Sequence, residues 1–247
     1  MNKWLWLVVV GALLGEDPRQ VINEVQRRSR ADSERYEGTL QVTDGRNRVS
    51  DKRWLYERLG SAGEAKAILR FLAPAEVKGV ALLVHNHPER ASDQWMWTPA
   101  LQRDRRIAWQ DRSTRFFGTD FSFEDLEERD VNQYSYQMLG EETIGGAACW
   151  KIESRPVKTR ASQYTHSVIW VRKDIYAFAR IEAYHNGRVV RRIDYGDFEQ
   201  VKGIWKARRV EVRDPGRGSR TVLQLDKLDY NVPLSPADFT LQALRRG

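Results

Sequence analysis

The chain has 247 residues, 41% of them hydrophobic, with nine Trp and a net charge of +7. That composition excludes a disordered chain and leaves room for one large buried core. A single cysteine, Cys149, excludes an internal disulfide and a zinc site built from several thiolates.

The N-terminal stretch MNKWLWLVVVGALLGEDP places Lys3 before an apolar run from Leu5 to Leu14. This is the form of a secretory signal peptide, and the run is shorter than the ~20 residues a membrane span needs. Residues 1–15 are therefore expected to be a signal peptide, cut after Gly11 or Gly15, with residues 16–247 as one domain. A buried N-terminal strand or helix is the alternative. No Cys follows the run, which excludes lipoprotein processing.

Asp17-Pro18 predicts a helix start, with Val21, Ile22 and Val25 on one face and the end near Arg35. From there the hydrophobic period changes to two. About a dozen strands follow, among them AILRFL (67–72), GVALLVH (79–85), QWMWT (94–98), RRIAW (105–109), YTHSVIWVR (164–172) and RTVLQLDKLDY (220–230). Asn186-Gly187, Lys202-Gly203 and Asp214-Pro215-Gly216 mark hairpin turns, so the strands form an antiparallel meander. Ser235-Pro236-Ala237-Asp238 predicts a capped short helix. So many strands must curl or split.

Candidate sites are few. His85 and His87 share a strand face, which suits a metal pair, but Pro88 follows and no third ligand is placed. They read as a loop-edge pair, and no metal or cofactor is expected. His166 and His185 read as wall residues. Cys149, among Ala147, Ala148 and Trp150, reads as a small buried hydrophobe. No hydrolase, nucleotide or zinc-protease motif occurs, and Asp120, Glu124 and Asp125 lack the opposed geometry of a glycosidase pair. The chain is not expected to be an enzyme. Arg191 and Arg192 fall on opposite faces of a strand, as do Arg208 and Arg209. An inward arginine needs an acidic partner or an anionic ligand. Trp54, Phe71, Trp95, Trp97 and Trp170 fit either a plain core or the wall of an apolar cavity; the sequence does not separate the two.

The series FLAPAEVKGVALLVH, DQWMWTPALQRDRRIAWQDRSTRFFGTDFSFEDL, YQMLGEETIGGAACWKIESRP, VIWVRKDIYAFARIEAY, GIWKARRVEV and RTVLQLDKLDYNVPLSPADFT resembles the outer membrane lipoprotein-sorting protein family. The resemblance covers about residues 17–245. It implies a mainly β (α+β), LolA-like fold: an incomplete antiparallel β-barrel, strongly curled, with helices covering its open side. It also implies a periplasmic carrier of lipid or lipoprotein acyl chains. Its partners would be inner- or outer-membrane transport proteins, with lipid exporters of the resistance–nodulation–division type among them. A sensor or interaction module on the same half-barrel is the rival. The expected protein is a monomer that contacts membranes peripherally, and no nucleic acid partner is expected.

On that fold the cavity candidates are Trp54, Phe71, Leu83, Trp95, Trp97, Ile107, Phe117, Phe121 and Trp170. The stretch FFGTDFSFEDL (116–126) reads as a strand to Gly118, a turn, and a short helix capped by Ser122 with Asp125. Asp120 and Asp125 are expected to pair with arginines such as Arg105 or Arg115. With Arg105, Arg106 and Gly118 they would form a clasp at the cavity rim.

Overall fold

The computed structural model describes residues 16–246, apart from 62, 89 and 159–161. The expected signal peptide lies outside the described residues. Helix α1 (Pro18–Arg28) starts as its caps dictate: the Asp17 side chain accepts from the Arg19 N–H, and Val21, Ile22 and Val25 are buried. It ends seven residues before the expected Arg35. The chain must be extended by Ser33, because residues 33–43 pair with residues 49–59 on one side and residues 34–43 with residues 220–230 on the other, which occupies their backbone groups in ladders.

That central strand is β1 (Ser33–Thr43). On one side of it runs a meander of β2 (Val49–Leu59), β3 (Lys66–Ala73), β4 (Ala81–His85), β5 (Asp93–Thr98) and β6 (Arg103–Arg106). The chain then crosses to the far edge and returns through β7 (Tyr134–Ile144), β8 (Ala147–Pro156), β9 (His166–Arg172), β10 (Phe178–His185), β11 (Arg188–Val201), β12 (Ile204–Asp214) and β13 (Ser219–Tyr230). The product is one antiparallel sheet of order β6-β5-β4-β3-β2-β1-β13-β12-β11-β10-β9-β8-β7, curled and unclosed. Asn186-Gly187 and Lys202-Gly203 turn their hairpins with φ positive at both residues (49° and 73°; 49° and 84°), the pairing that matches strand twist.

Alternation along each strand sorts the side chains onto two faces. The inner face carries Leu40, Trp54, Leu69, Phe71, Leu82, Ile152, Ile169, Val171, Ile193, Val212 and Leu223. It is covered at one end by α1 and elsewhere by the crossing segment, residues 107–133. The outer face is not bare. A 3-10 turn (Pro236–Phe239), with Ser235 at the predicted cap and a capping box to Asp238, leads into α2 (Leu241–Arg245). Phe239 and Leu244 pack there on Ile68, Ala81 and Leu83. The expected helical cover of the open side is α1, and α2 packs on the outer face.

Candidate ligand-binding site

The crossing segment is the first component. Residues 115–122 form a miniature hairpin: Arg115 and Ser122 bridge, and Phe116 N–H donates to Phe121 O at 2.8 Å. Phe117 (φ 44°) and Gly118 (φ 73°) make its turn, closed by Thr119 N–H to Phe116 O at 3.0 Å. A left-handed Phe is uncommon. Here the conformation lets neighbouring phenylalanines point into the sheet. Phe116 stacks on Phe71 (centroids 5.3 Å apart) and meets Phe123 edge-on, while Phe121 lies 5.8 Å from Trp54. Phe116 is fully buried. The hairpin thus fills the inner face over β1–β4 and does not sit at a rim.

Its acids are pinned one by one. Asp120, wholly buried, accepts from Ser219 Oγ (2.5 Å) and Thr221 Oγ1 (2.8 Å) of β13 and pairs with Arg115 (2.9 Å). Asp125 and Ser122 bond reciprocally in the predicted capping box, at 2.8 and 3.1 Å. Asp125 also accepts from Tyr164 Oη (3.0 Å) and faces Arg191 (3.5 Å). Arg191 is the inward arginine of its strand pair, and its other partner is Asp214 at 3.0 Å. Glu124 is held by Ser162 Oγ and the Gln163 N–H. Glu127 takes a bidentate pair from buried Arg112 and a bond from Gln94. Burial pushes the Glu127 carboxyl up to about 7, against the pull of Arg112.

Arg105 and Arg106 are not part of this clasp. Both are exposed on edge strand β6, where Arg105 lies 3.6 Å from Asp111 and Arg106 pairs with Asp93. A four-residue edge strand cannot bring them over the inner face, and Arg115, inside the hairpin, takes the role.

Beyond the hairpin the inner face is not filled. Under α1 lies a cavity of about 240 Å³ walled by Ile22, Val25, Val131, Tyr136, Ile169, Phe178, Ile181, Ala183, Ile193 and Tyr195. Two further spaces adjoin it. One, about 190 Å³, runs outward past Tyr176, Phe198 and Trp205. The other, about 310 Å³, runs along Tyr36, Trp54, Tyr56, Phe121 and Leu225. All three meet at Ser29 and Tyr195, beneath the C-terminal end of α1. In the third, Arg58 and Lys206 (2.6 Å) share buried Glu34; burial works against that charge, but the two cations hold the carboxyl below its usual range.

Of the sequence candidates, Trp54, Phe71, Ile107, Phe117 and Phe121 come together on the inner face. Trp54 and Phe121 touch the open space; Phe71 and Ile107 are enclosed in the packing around the hairpin. Leu83, Trp95, Trp97 and Trp170 do not reach the interior. The first three pack with the α2 region on the outer face. Trp170 lies on the outer face too, its indole N–H donating to Glu142 at 3.0 Å between Lys151 and Arg180. Both faces of this sheet are apolar, so alternation does not say which is inside.

The sequence reading missed the cavity wall of β10–β11 (Ile181, Ala183, Ile193, Tyr195) and the α1 residues above it. Their period-two spacing was the available signal. His85 bonds Phe239 O (2.9 Å) and His87 bonds Asp93 (2.9 Å); no cluster of three or more His, Cys, Asp or Glu that could hold a metal occurs among the described residues. Cys149 is buried, and burial raises its thiol pKa. No helix among the described residues is long and apolar enough to cross a membrane.

Comparison with known proteins agrees with this architecture. The profile of a family described as "Uncharacterized protein" matches residues 63–246. No curated protein matches. Among solved structures, a domain assigned as an outer membrane lipoprotein-sorting protein from Vibrio parahaemolyticus superposes with a TM-score of 0.88 at 25% identity, over 93% of this chain and 98% of that one. A DUF1329 family protein from Desulfovibrio piger gives 0.87 at 29% identity, over 92% and 99%. A LolA superfamily protein from Nitrosomonas europaea gives 0.73 at 20% identity, over 92% and 99%, and speaks to the fold alone. The chain has the LolA-like fold, is similar to outer membrane lipoprotein-sorting and DUF1329 proteins, and belongs to the family whose profile it matches over residues 63–246.

Proposed function

We propose that this protein is a periplasmic carrier. It takes acyl chains of a lipid or lipoprotein into the space under α1, shields them from water, and hands them between membrane partners. Transport proteins of the resistance–nodulation–division type are the proposed exporters it serves. Residues 1–15 act as its export signal, and the mature chain works as a monomer that touches the membrane only peripherally.

The observation that carries this reading is the branched apolar space on the inner face. Its parts, about 240, 190 and 310 Å³, share Ser29 and Tyr195 as wall residues, and their total falls in the ~300–1,000 Å³ range of small-molecule sites. Each CH₂ group moved into such a space gains ~0.8 kcal/mol. The cover suits exchange. Apart from its three buried apolar residues, α1 is tied by Arg19 to Asn132 (2.6 Å), Gln26 to Arg129 O (2.9 Å) and Arg28 over the Tyr176 ring (4.2 Å). Exposed contacts of this kind contribute little each, so α1 is the element that opens. The lipoprotein-sorting assignment of the Vibrio structure supports the same cargo class.

Native mass spectrometry of the protein purified from its own cell envelope, with lipid identification on the extract, tests the proposal. A stoichiometric acyl lipid is expected. Protein that comes out empty, and stays empty after incubation with envelope lipid, would refute the carrier reading in favour of a sensor or interaction module.

A further inference from the structure

The cavity under α1 is apolar along the helix and β8–β11, and its polar end carries Glu124, Asp125, Glu127 and Glu128 with the cation Arg129. Arg129 follows the crossing hairpin, is half-buried, and borders the cavity. Its guanidinium sits over the rings of Tyr134 (5.5 Å) and Tyr164 (6.0 Å) and donates one long bond, 3.4 Å, to Ser167 Oγ. No carboxylate pairs with it within 4 Å among the described residues. The guanidinium is half-buried, and the donors left over from that one long bond turn to accessible space instead of to a carboxylate fork.

Three of the neighbouring acids are engaged elsewhere. Glu124 is bonded to Ser162 and Gln163, Asp125 to Ser122 and Tyr164, and Glu127 to Arg112. Other cations of the inner face have anions of their own: Arg58 and Lys206 share Glu34, and Arg191 has Asp214. Arg129 is the cation left over. On its far side from the apolar cavity lies a small polar space of about 20 Å³, bordered by Ser92 and Gln133.

We infer that Arg129 anchors the anionic head of the bound amphiphile, a carboxylate or phosphate, with the acyl tail running along Ile181 and Tyr195 beneath α1. This rests on the carrier reading and adds to it the ligand's chemical class and its orientation, head inward. The aromatic rings hold the guanidinium in place, so little side-chain freedom is lost on binding.

The test compares binding of four probes of one chain length to the full-length mature protein by calorimetry: palmitate, monohexadecyl phosphate, hexadecanol and hexadecyltrimethylammonium. Wild type is expected to bind one or both anions about 10- to 100-fold tighter than the alcohol, the value of charge-assisted bonds in a water-poor site, and the cation most weakly. Palmitate against the phosphate ester tells which head group is preferred. Arg129→Gln is expected to bring the anions down to the alcohol while leaving the alcohol's affinity within about threefold, and Arg129→Lys to keep part of the preference. Wild type binding anions and alcohol equally would overturn the anchor and leave the carrier standing. Binding of none of the four would overturn both. The wild-type series decides the question even if Arg129→Gln fails to fold.

Discussion

The two halves of the inner face are made of the same kind of antiparallel strand and the same residue types, yet one is solid and the other hollow. Over β1–β4 the cover is a hairpin that lowers Phe116, Phe121 and Phe123 onto Trp54 and Phe71, with Asp120 bolted to β13 beneath it. Over β8–β11 the cover is α1, whose buried residues, Val21, Ile22 and Val25, are smaller and stand on one stripe. An aromatic hairpin can follow the curve of a sheet and fill it. A straight helix laid across a concave surface touches at a line and leaves space at its end. The cavity is where the second kind of cover meets the curl.

The largest expected effect comes from breaking the solid half. Asp120→Ala removes a wholly buried carboxylate and strands Arg115, Ser219 and Thr221 without their acceptor. The cost should be ~3–5 kcal/mol, as for one partner of a buried pair. Phe116→Ala should cost a similar ~3–5 kcal/mol through the cavity it leaves. Denaturant unfolding measures both. A wild-type midpoint for Asp120→Ala would mean that the hairpin is not an anchored part of the fold.

The complementary change fills the hollow half. Ala183 lines the cavity under α1. Ala183→Phe should place a ring in existing space and lower acyl-ligand affinity by at least ~10-fold, while shifting stability by only about 1 kcal/mol, below the usual cost of overpacking. Full ligand binding by a folded Ala183→Phe protein would move the ligand into one of the two adjoining spaces.

Between the halves lies Glu127. An unfolded chain gives up this proton near pH 4.5, the folded chain at about 7. Through that window the folded state holds the extra proton, so stability falls as pH rises, and the cost is fully in place above about pH 7. Glu127→Gln should flatten the slope of stability between about pH 5 and 7, whatever it does to the absolute value. Parallel slopes for the two proteins would mean that Arg112 keeps Glu127 ionised throughout.

The strands and their turns were legible because period-two alternation and turns such as Asn186-Gly187 are local signals. So were the Asp17 and Ser235 caps and the Ser122–Asp125 box. The partition of the interior was not. Leu82 and Leu83 are both fully buried, one on each face, because α2 covers outside what the hairpin covers inside. Trp95 and Trp97 were read as cavity wall for the same reason. The hollow is set by where α1 stops. That in turn depends on β1 pairing with β13, nearly two hundred residues along the chain, and no local pattern around Ser29 encodes it.

Arg105 and Arg115 make the same point at the smallest scale. Both were candidates for holding the hairpin acids, and nothing in their neighbourhoods ranks them: each lies in a run of arginines and aspartates. In the fold Arg115 bonds the carbonyls of Gly118 (2.9 Å) and Thr119 (2.7 Å) and pairs with an acid that solvent does not reach. Arg105 has a side chain 53% exposed and faces a half-exposed Asp111. A surface pair is worth ~0–1 kcal/mol, a charge-assisted buried set ~1.5–3 kcal/mol. Arg105→Ala should therefore change stability by no more than about 0.5 kcal/mol, and Arg115→Ala by several times that. Equal losses, measured side by side in one denaturant series, would mean that the edge strand β6 bears on the hairpin after all and that the solid half extends to the open edge of the sheet.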